Sequence, residues 1–243
     1  MKPTRHILLT IAMLLCSITA NAHDFEVDGI YYDITSSTTV EVTFRGDNYN
    51  SYSNEYSGAV FIPSTVTYNS ITYNVTGIGE WAFYYCSSLT EITISEGVTS
   101  IGNSAFQSCS SLTAITIPAS VTSIGDDAFS WCRSLTAITI PESVTRIGKW
   151  AFSGCEGLAD VKVHIASVES WFANNLANSI GLSYSLYLAG ELLTKVEIPS
   201  SVNALPNHAF YNCNSLTAIT IPESVTSIGS YAFINCTKVR LLS

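Results

Sequence analysis

Six cysteines recur at a fixed interval and are the first residues in this chain that could do chemistry. A 23-residue interval relates Cys86, Cys109, Cys132 and Cys155, and it relates Cys213 to Cys236. Thiols can form disulfides or bind metal ions. No C-x-x-C pair and no histidine at zinc-ligand spacing accompanies them, so we predict no metal site. A constant interval is typical of small buried wall residues, which predicts mostly free thiols. Disulfides remain the alternative, because a secreted chain with an even number of cysteines commonly forms them.

Aromatic residues follow the same interval and are candidates for binding. Trp81 and Trp150 come directly before an Ala-Phe pair, and Tyr85 and Trp131 come two residues after the Phe. If exposed, these four side chains would form a patch on the convex side, and Trp and Tyr are favoured anchors of interfaces. The alternative is that they cover the wall of the repeat.

A second candidate region lies around a segment that breaks the interval. Between Cys155 and Cys213 the chain contains one unit of the usual length and one that is longer and irregular. Insertions in repeat proteins often contain the residues that bind a partner. We therefore expect partner specificity around this segment, and the candidate residues there are Asp160, Lys162, Trp171, Lys195 and Glu197.

Residues that would support catalysis do not form a recognisable pattern. Beyond positions 1–22 only His23, His164 and His208 remain, and they are scattered. No glycine-rich phosphate loop is present, because the glycines recur with the repeat. The sequence predicts no catalytic residues, no cofactor and no enzymatic activity.

The repeat explains which structure must position these residues. Its unit reads L-x-x-I-x-I-P-x-S-V-T-x-I-G-x-x-A-F-x-x-C, as in residues 135–155. Alternation in the first part predicts a strand whose isoleucines point inward, and Pro141 ends it because proline lacks an N–H. Gly148 is expected to permit a sharp bend. One such coil cannot bury its apolar side alone, so copies should stack into a continuous core with a parallel sheet.

This signature resembles the BspA-type leucine-rich repeats, a class found mainly in bacterial surface and secreted proteins. The resemblance covers roughly residues 56–243. It implies a mostly β solenoid, a right-handed coil with short 3₁₀ or helical turns. It also implies an adhesin-like protein that binds through an extended rigid face.

Three segments follow from these patterns. Residues 1–22 read as a secretory signal peptide, with Lys2 and Arg5 before an apolar run and cleavage expected after Ala22. Residues 23–75 are expected to form an N-terminal β cap, in which 25–34 and 39–44 are strands and a hairpin turns at 69–70. Residues 76–243 form the repeat array, with a longer irregular unit at about 158–192 that contains a short helix and a hairpin around 189–190.

Charge and hydropathy limit the partners. The net charge is −9, and it becomes −11 without residues 1–22. An acidic chain with no basic cluster argues against nucleic acid and anionic membranes as binding partners. The sequence has no second apolar run long enough to predict membrane insertion after signal cleavage. We expect a secreted or cell-surface protein that binds an extracellular protein or glycan. The alternative is an assembly module that self-associates through its C-terminal edge, because the sequence stops inside the next L-x-x-I-x-I strand.

Overall fold

The computed structural model of the protein describes residues 23–46, 48, 54–174, 176–180 and 182–242. The predicted signal peptide, residues 1–22, lies outside the described residues. The described part is a solenoid whose coils follow the 23-residue interval, so the predicted mostly β repeat fold is confirmed.

The strands are short, and each regular coil contributes two of them. Before the first regular coil stand β1 (Phe25–Val27), β2 (Ile30–Ile34), β3 (Thr39–Thr43), β4 (Gly58–Ile62), β5 (Thr65–Tyr68) and β6 (Ile71–Ile78). The next coils carry β7 (Leu89–Ile94), β8 (Ser100–Ile101), β9 (Ala114–Thr116), β10 (Ser123–Ile124), β11 (Ala137–Ile140) and β12 (Arg146–Ile147).

The irregular segment and the last coils contain the remaining elements. They are β13 (Asp160–Ile165), α1 (Val168–Asn174), α2 (Leu176–Ile180), β14 (Ser185–Leu188) and β15 (Glu191–Leu192). After these come β16 (Lys195–Glu197), β17 (Ala204–Leu205), β18 (Ala218–Thr220), β19 (Ser227–Ile228) and β20 (Arg240–Leu242).

Parallel pairing between coils reproduces the sequence interval. Ile92 in β7 pairs with Ile115 in β9, and Ile101 in β8 pairs with Ile124 in β10. We name two sides of the coil after these pairings. The strand side holds β4, β7, β9, β11, β13, β14, β16 and β18, and the short-strand side holds β6, β8, β10, β12, β17 and β19. The third side contains the Ala-Phe turns, and we call it the turn face.

The core is built from the positions that the repeat unit predicts to be apolar. In the coil of Cys132 the side chains of Leu112, Ile124, Ala128 and Phe129 are fully buried. Phe83, Phe106, Phe129 and Phe152 of successive coils stack with nearly parallel rings. This stack joins residues that are distant in sequence, one from each coil, into one apolar interior.

The N-terminal strands extend the short-strand side. β1, β2 and β3 pair antiparallel, and β3 then pairs parallel with β6. Residues 25–34 were expected as one strand, but a hairpin divides them, since Asp28 and Gly29 both have positive φ. Asp-Gly is a strong sequence signal for such a tight turn. The expected hairpin at 69–70 is confirmed by the pairing of β5 with β6.

The irregular segment separates into a regular step and an added hairpin. Lys162 in β13 pairs with Ser185 in β14, which keeps the repeat interval, and α1 and α2 lie between these two strands. The extra length follows β14, which turns back antiparallel into β15 around residues 189–190, as predicted. The sheet that begins with β11 ends at β15, and β16 starts another with β18 and β20.

The recurring glycine serves a different purpose from the expected bend. Gly148 does not have positive φ, so left-handed backbone is not the reason for glycine there. A Cβ at Gly148 would clash with the backbone nitrogen of Asp126, in the preceding coil. Gly125 meets the backbone nitrogen of Asn103 at 2.5 Å in the same way. Glycine is therefore required because adjacent coils approach each other too closely for a side chain.

Candidate binding face

The turn face displays two rows of residues in left-handed backbone conformation. The first row precedes the Ala-Phe pair, and its members with positive φ are Trp81, Ser104, Asp127, Trp150, His208 and Tyr231. The second row lies two residues after the Phe, and its members are Tyr85, Ser108, Trp131, Gly154, Asn212 and Asn235. Such conformations cost about 1 kcal/mol or more for residues other than glycine, so a compensating interaction must recur in every coil.

Hydrogen bonds between coils supply that compensation. The backbone N–H of Trp81 donates to the Asn103 carbonyl at 3.0 Å, and that of Tyr85 donates to the Gln107 carbonyl at 2.9 Å. One coil further along, the N–H of Ser108 donates to the Ser130 carbonyl at 2.8 Å. Both rows are therefore part of the scaffold, and their backbone positions do not depend on which side chain they carry.

Exposure separates the four aromatic residues predicted from the sequence. Trp150 is 67% exposed, Tyr85 51% and Trp131 44%, whereas Trp81 is partly buried. Three of the four side chains thus face solvent, and Trp81 partly covers the coil wall. Tyr231 of the last coil is also exposed, and its ring stacks on that of His208 at 5.4 Å.

A groove separates the rings of Tyr85 and Trp131. These residues occupy the second row two coils apart, and the small Ser108 stands between them. The groove has a volume of about 510 Å³, and its remaining lining residues are Ser87, Gln107, Ser110 and Arg133. Its walls are aromatic, and the rest of its lining carries hydroxyl, amide and guanidinium groups.

Gly154 determines how the indole of Trp131 lies. A Cβ built on Gly154 would lie 2.8 Å from Cδ2 and Cε3 of Trp131. The six-membered ring of the indole therefore occupies the place where the side chain of any residue other than glycine would lie. Trp131 therefore lies against the following coil, on the side away from Ser108. The guanidinium carbon of Arg133 is 5.2 Å from the centre of the same indole, a cation–π contact.

The charged candidates lie on the strand side, away from these aromatics. Lys162 is partly buried in β13, while Lys195 and Glu197 are exposed in β16. The backbone of Asp160 pairs with Ala137, and its side chain lies outside the described part of the structure. Asp160 and Lys162 lie together on β13, and Lys195 and Glu197 lie together on β16, which belongs to a different sheet.

Trp171 lies in the core and not on the surface. It is 2% exposed, and its indole N–H donates to the Ala209 carbonyl at 2.7 Å. The neighbouring Phe172 meets the ring of Phe210 edge-on at 5.4 Å. The helix α1 thereby joins the irregular segment to the Ala-Phe turn of the following coil, which is a structural role.

The cysteines occupy wall positions and are shielded from solvent. The structure has free thiols at all six positions, five of them buried and Cys236 partly buried. The thiol of Cys109 donates to the Phe83 carbonyl of the preceding coil at 3.1 Å, and Cys132 makes the same contact with Phe106. Burial raises the pKa of the Cys86 thiol to about 12 and that of Cys155 to about 11, which suppresses the reactive thiolate.

Neither a cluster of metal ligands nor a membrane-spanning helix occurs within the residues that the structure describes. Within those ranges, no three His, Cys, Asp or Glu side chains converge as metal ligands would. The same ranges contain no helix with the length and hydropathy needed to cross a bilayer.

Sequence reasoning identified both walls of the groove but missed the groove itself. Ser108, Ser110, Gln107 and Arg133 were not among the candidates. The available signal was the order of residues at the second-row position of successive coils. In that order Ser108 separates Tyr85 from Trp131, and Gly154 takes the same position in the coil after Trp131.

Comparison with known proteins identifies the family. Six copies of the BspA type leucine rich repeat region match residues 55–183 and 182–242. Comparison with curated proteins finds no significant match.

Several solved structures are similar to this chain, among them the following three. The leucine rich repeat protein of T. pallidum is 26% identical, with a TM-score of 0.54 over 89% of this chain and 90% of that one. A leucine-rich repeat protein from Bacteroides ovatus is 26% identical, with a TM-score of 0.42 over 90% of this chain and 70% of that one. One from Bacteroides capillosus is 31% identical, with a TM-score of 0.47 over 57% and 96%. With its repeat model matched over most of its length, the chain belongs to the BspA-type leucine-rich repeat family.

Proposed function

We propose that the protein is a secreted or cell-surface binding protein without catalytic activity, which engages an extracellular protein or glycan through its turn face. The observation that carries the proposal is the exposure of Tyr85, Trp131 and Trp150 on the turn face, the first two in one row and Trp150 in the other. Large aromatic side chains contribute strongly to interfaces, because they bury much surface at a low cost in conformational entropy.

The scaffold supports this use, because it holds the aromatic residues in fixed positions. Their backbone is bound to the next coil, as in the hydrogen bond from the Trp131 N–H to the Ser153 carbonyl at 2.7 Å. Little order has to be created on binding, so little of the interaction free energy is lost. In β9 and β11 the outward side chains are Ala114, Thr116, Ala137 and Thr139. Threonine is enriched in strands in general, so these positions do not require a ligand to explain them.

Location outside the cytoplasm is part of the proposal. Residues 1–22 have the pattern of an export signal, and the family is typically associated with the cell surface. Among similar structures, one is described as a leucine rich cell surface protein of Faecalibacterium prausnitzii. That description applies to the other protein.

A binding screen with matched variants tests the proposal. The purified protein is presented to arrayed extracellular matrix proteins and glycans, together with the triple variant Tyr85→Ala, Trp131→Ala, Trp150→Ala. The control replaces exposed threonines of the strand side, Thr116→Ala with Thr139→Ala. We expect the aromatic variant to lose a partner that the control retains. Failure of the wild-type protein to bind any probe, or equal binding by both variants, contradicts the proposal.

A further inference from the structure

We propose that the groove between Tyr85 and Trp131 is a glycan site, and that Arg133 binds a carboxylate of a uronic or sialic acid in that glycan. The inference rests on the proposed binding function and names its ligand class and site. No residue of this groove is needed for the core, since its side chains lie outside the apolar interior.

The dimensions of the groove suit a sugar. Its two aromatic walls are separated by the one coil that carries Ser108, so with a spacing of 4.7–4.9 Å between paired strands they stand about 10 Å apart. This gap with its volume of about 510 Å³ fits a short stretch of oligosaccharide. Small-molecule sites commonly have volumes of this order, on the order of 300–1,000 Å³.

The lining combines the two kinds of group that a pyranose ring requires. A sugar ring presents an apolar face of C–H groups and a rim of hydroxyls. The exposed Tyr85 ring is a platform for the apolar face. The hydroxyls of Ser108 and Ser110 and the amide of Gln107 can exchange hydrogen bonds with the rim. The Ser87 hydroxyl donates to Asn54 Oδ1 at 2.8 Å and can accept a hydrogen bond from the rim. These side chains are short or partly buried, so holding them in place costs little entropy.

Arg133 gives the groove its preference for an acidic sugar. It is the one charged residue among the groove's lining residues, all of which are described, and the chain as a whole has a net charge of −9. Its guanidinium is oriented by the indole of Trp131. A planar guanidinium binds a carboxylate through two parallel charge-assisted hydrogen bonds, whereas the hydroxyls of a neutral sugar accept weaker, uncharged-acceptor hydrogen bonds.

The experiment measures binding of defined oligosaccharides by isothermal titration calorimetry. The probes are tri-galacturonate for uronic acid, sialyllactose for sialic acid, and lactose and maltotriose as neutral sugars. The first variant is Ser108→Tyr, which fills the groove. Tyrosine should be accommodated there, because Tyr85 and Trp131 adopt the same backbone conformation in neighbouring coils. The matched control is Ser104→Tyr, a left-handed position in the same coil that does not line the groove.

We expect at least one acidic probe to bind, and Ser108→Tyr to weaken it more than tenfold while Ser104→Tyr leaves it unchanged. Arg133→Gln should weaken the acidic probe by a similar factor without affecting neutral sugars. The two acidic probes identify the source of the carboxylate.

Three results would overturn the inference. The first is that acidic and neutral sugars bind with equal affinity, both to the wild-type protein and to Arg133→Gln. The second is that an acidic probe binds to Ser108→Tyr as tightly as to the wild-type protein. The third is that no sugar binds. If no sugar binds but a matrix protein does, with loss in the triple aromatic variant, the proposed function survives and the glycan site does not. If the protein binds neither sugars nor proteins, both fail.

Discussion

The rings of Phe106 and Phe129 stack with centroids 5.2 Å apart and planes only 3° from parallel, although the two residues belong to different coils. Both side chains are completely buried. Each ring fills the space above the ring of the preceding coil, so this position controls cohesion between coils.

Replacement of Phe129 by alanine should strongly destabilise the protein. Deletion of a buried phenyl ring leaves a cavity and costs about 3–5 kcal/mol of the free energy of unfolding. The matched control is Phe61→Ala, because Phe61 is 61% exposed and its loss should change stability by less than about 0.5 kcal/mol. Urea denaturation followed by circular dichroism measures both. Equal losses would contradict the stacked core.

The buried thiols should be nearly inert in the folded protein. Burial raises the pKa of the Cys109 thiol well above 9.0, while that of the partly buried Cys236 rises to about 11. A disulfide reagent at pH 8 should therefore modify Cys236 first and the other five only on unfolding. Cys236→Ala is the control that removes the early reaction. Fewer than six reactive thiols in residues 23–243 after unfolding without reductant would demonstrate disulfides.

The carboxyl group of Glu41 should make stability depend on pH. Burial and, secondarily, the charge of Asp33 raise the pKa of Glu41 above its ordinary value of 4.5. Folding therefore favours the protonated form, and this contribution is present below about pH 4.5 and lost as the pH rises through the raised pKa.

Glu41→Gln should remove the loss of stability that ionisation of Glu41 causes, because glutamine stays neutral at every pH. The quantity to compare is the free energy of unfolding of the variant minus that of the wild type, measured by urea denaturation at pH 4 and at pH 7. We expect this difference to be more favourable to the variant at pH 7 than at pH 4. Glu91→Gln, at an exposed glutamate of β7, controls for the removal of one negative charge. A gain for Glu41→Gln that is larger at pH 4 would reverse the sign and refute the argument.

Gly125→Ala should destabilise the solenoid by separating two coils. The new Cβ would approach the backbone nitrogen of Asn103 to 2.5 Å, and backbone atoms cannot move aside as a flexible side chain can. We expect a loss of up to about 3 kcal/mol. Gly190→Ala is the comparison, since it has open space but positive φ, and it should cost only about 1 kcal/mol. A smaller loss at Gly125 than at Gly190 would show that coil contact is not the constraint.

Much of the fold was predictable because each inward position recurs in several copies of the repeat. The phenylalanine and cysteine positions recur at one interval, and residues that recur together must have the same environment in a stacked structure. The hairpin at 28–29 was missed although the Asp-Gly signal was present. The role of Gly148 was misassigned, because close contact with Asp126 depends on the next coil and leaves no local pattern.

The sequence by itself determined the family, the interval, the inward positions and the rows in which the aromatic residues stand. Only the tertiary structure decided that Trp171 is buried, that Trp150 is exposed and that Tyr85 and Trp131 enclose a groove. The physical reason is that these properties belong to contacts between coils. Trp131 lies where it does because Gly154, one coil away, has no side chain, and the groove is open because Ser108 is small.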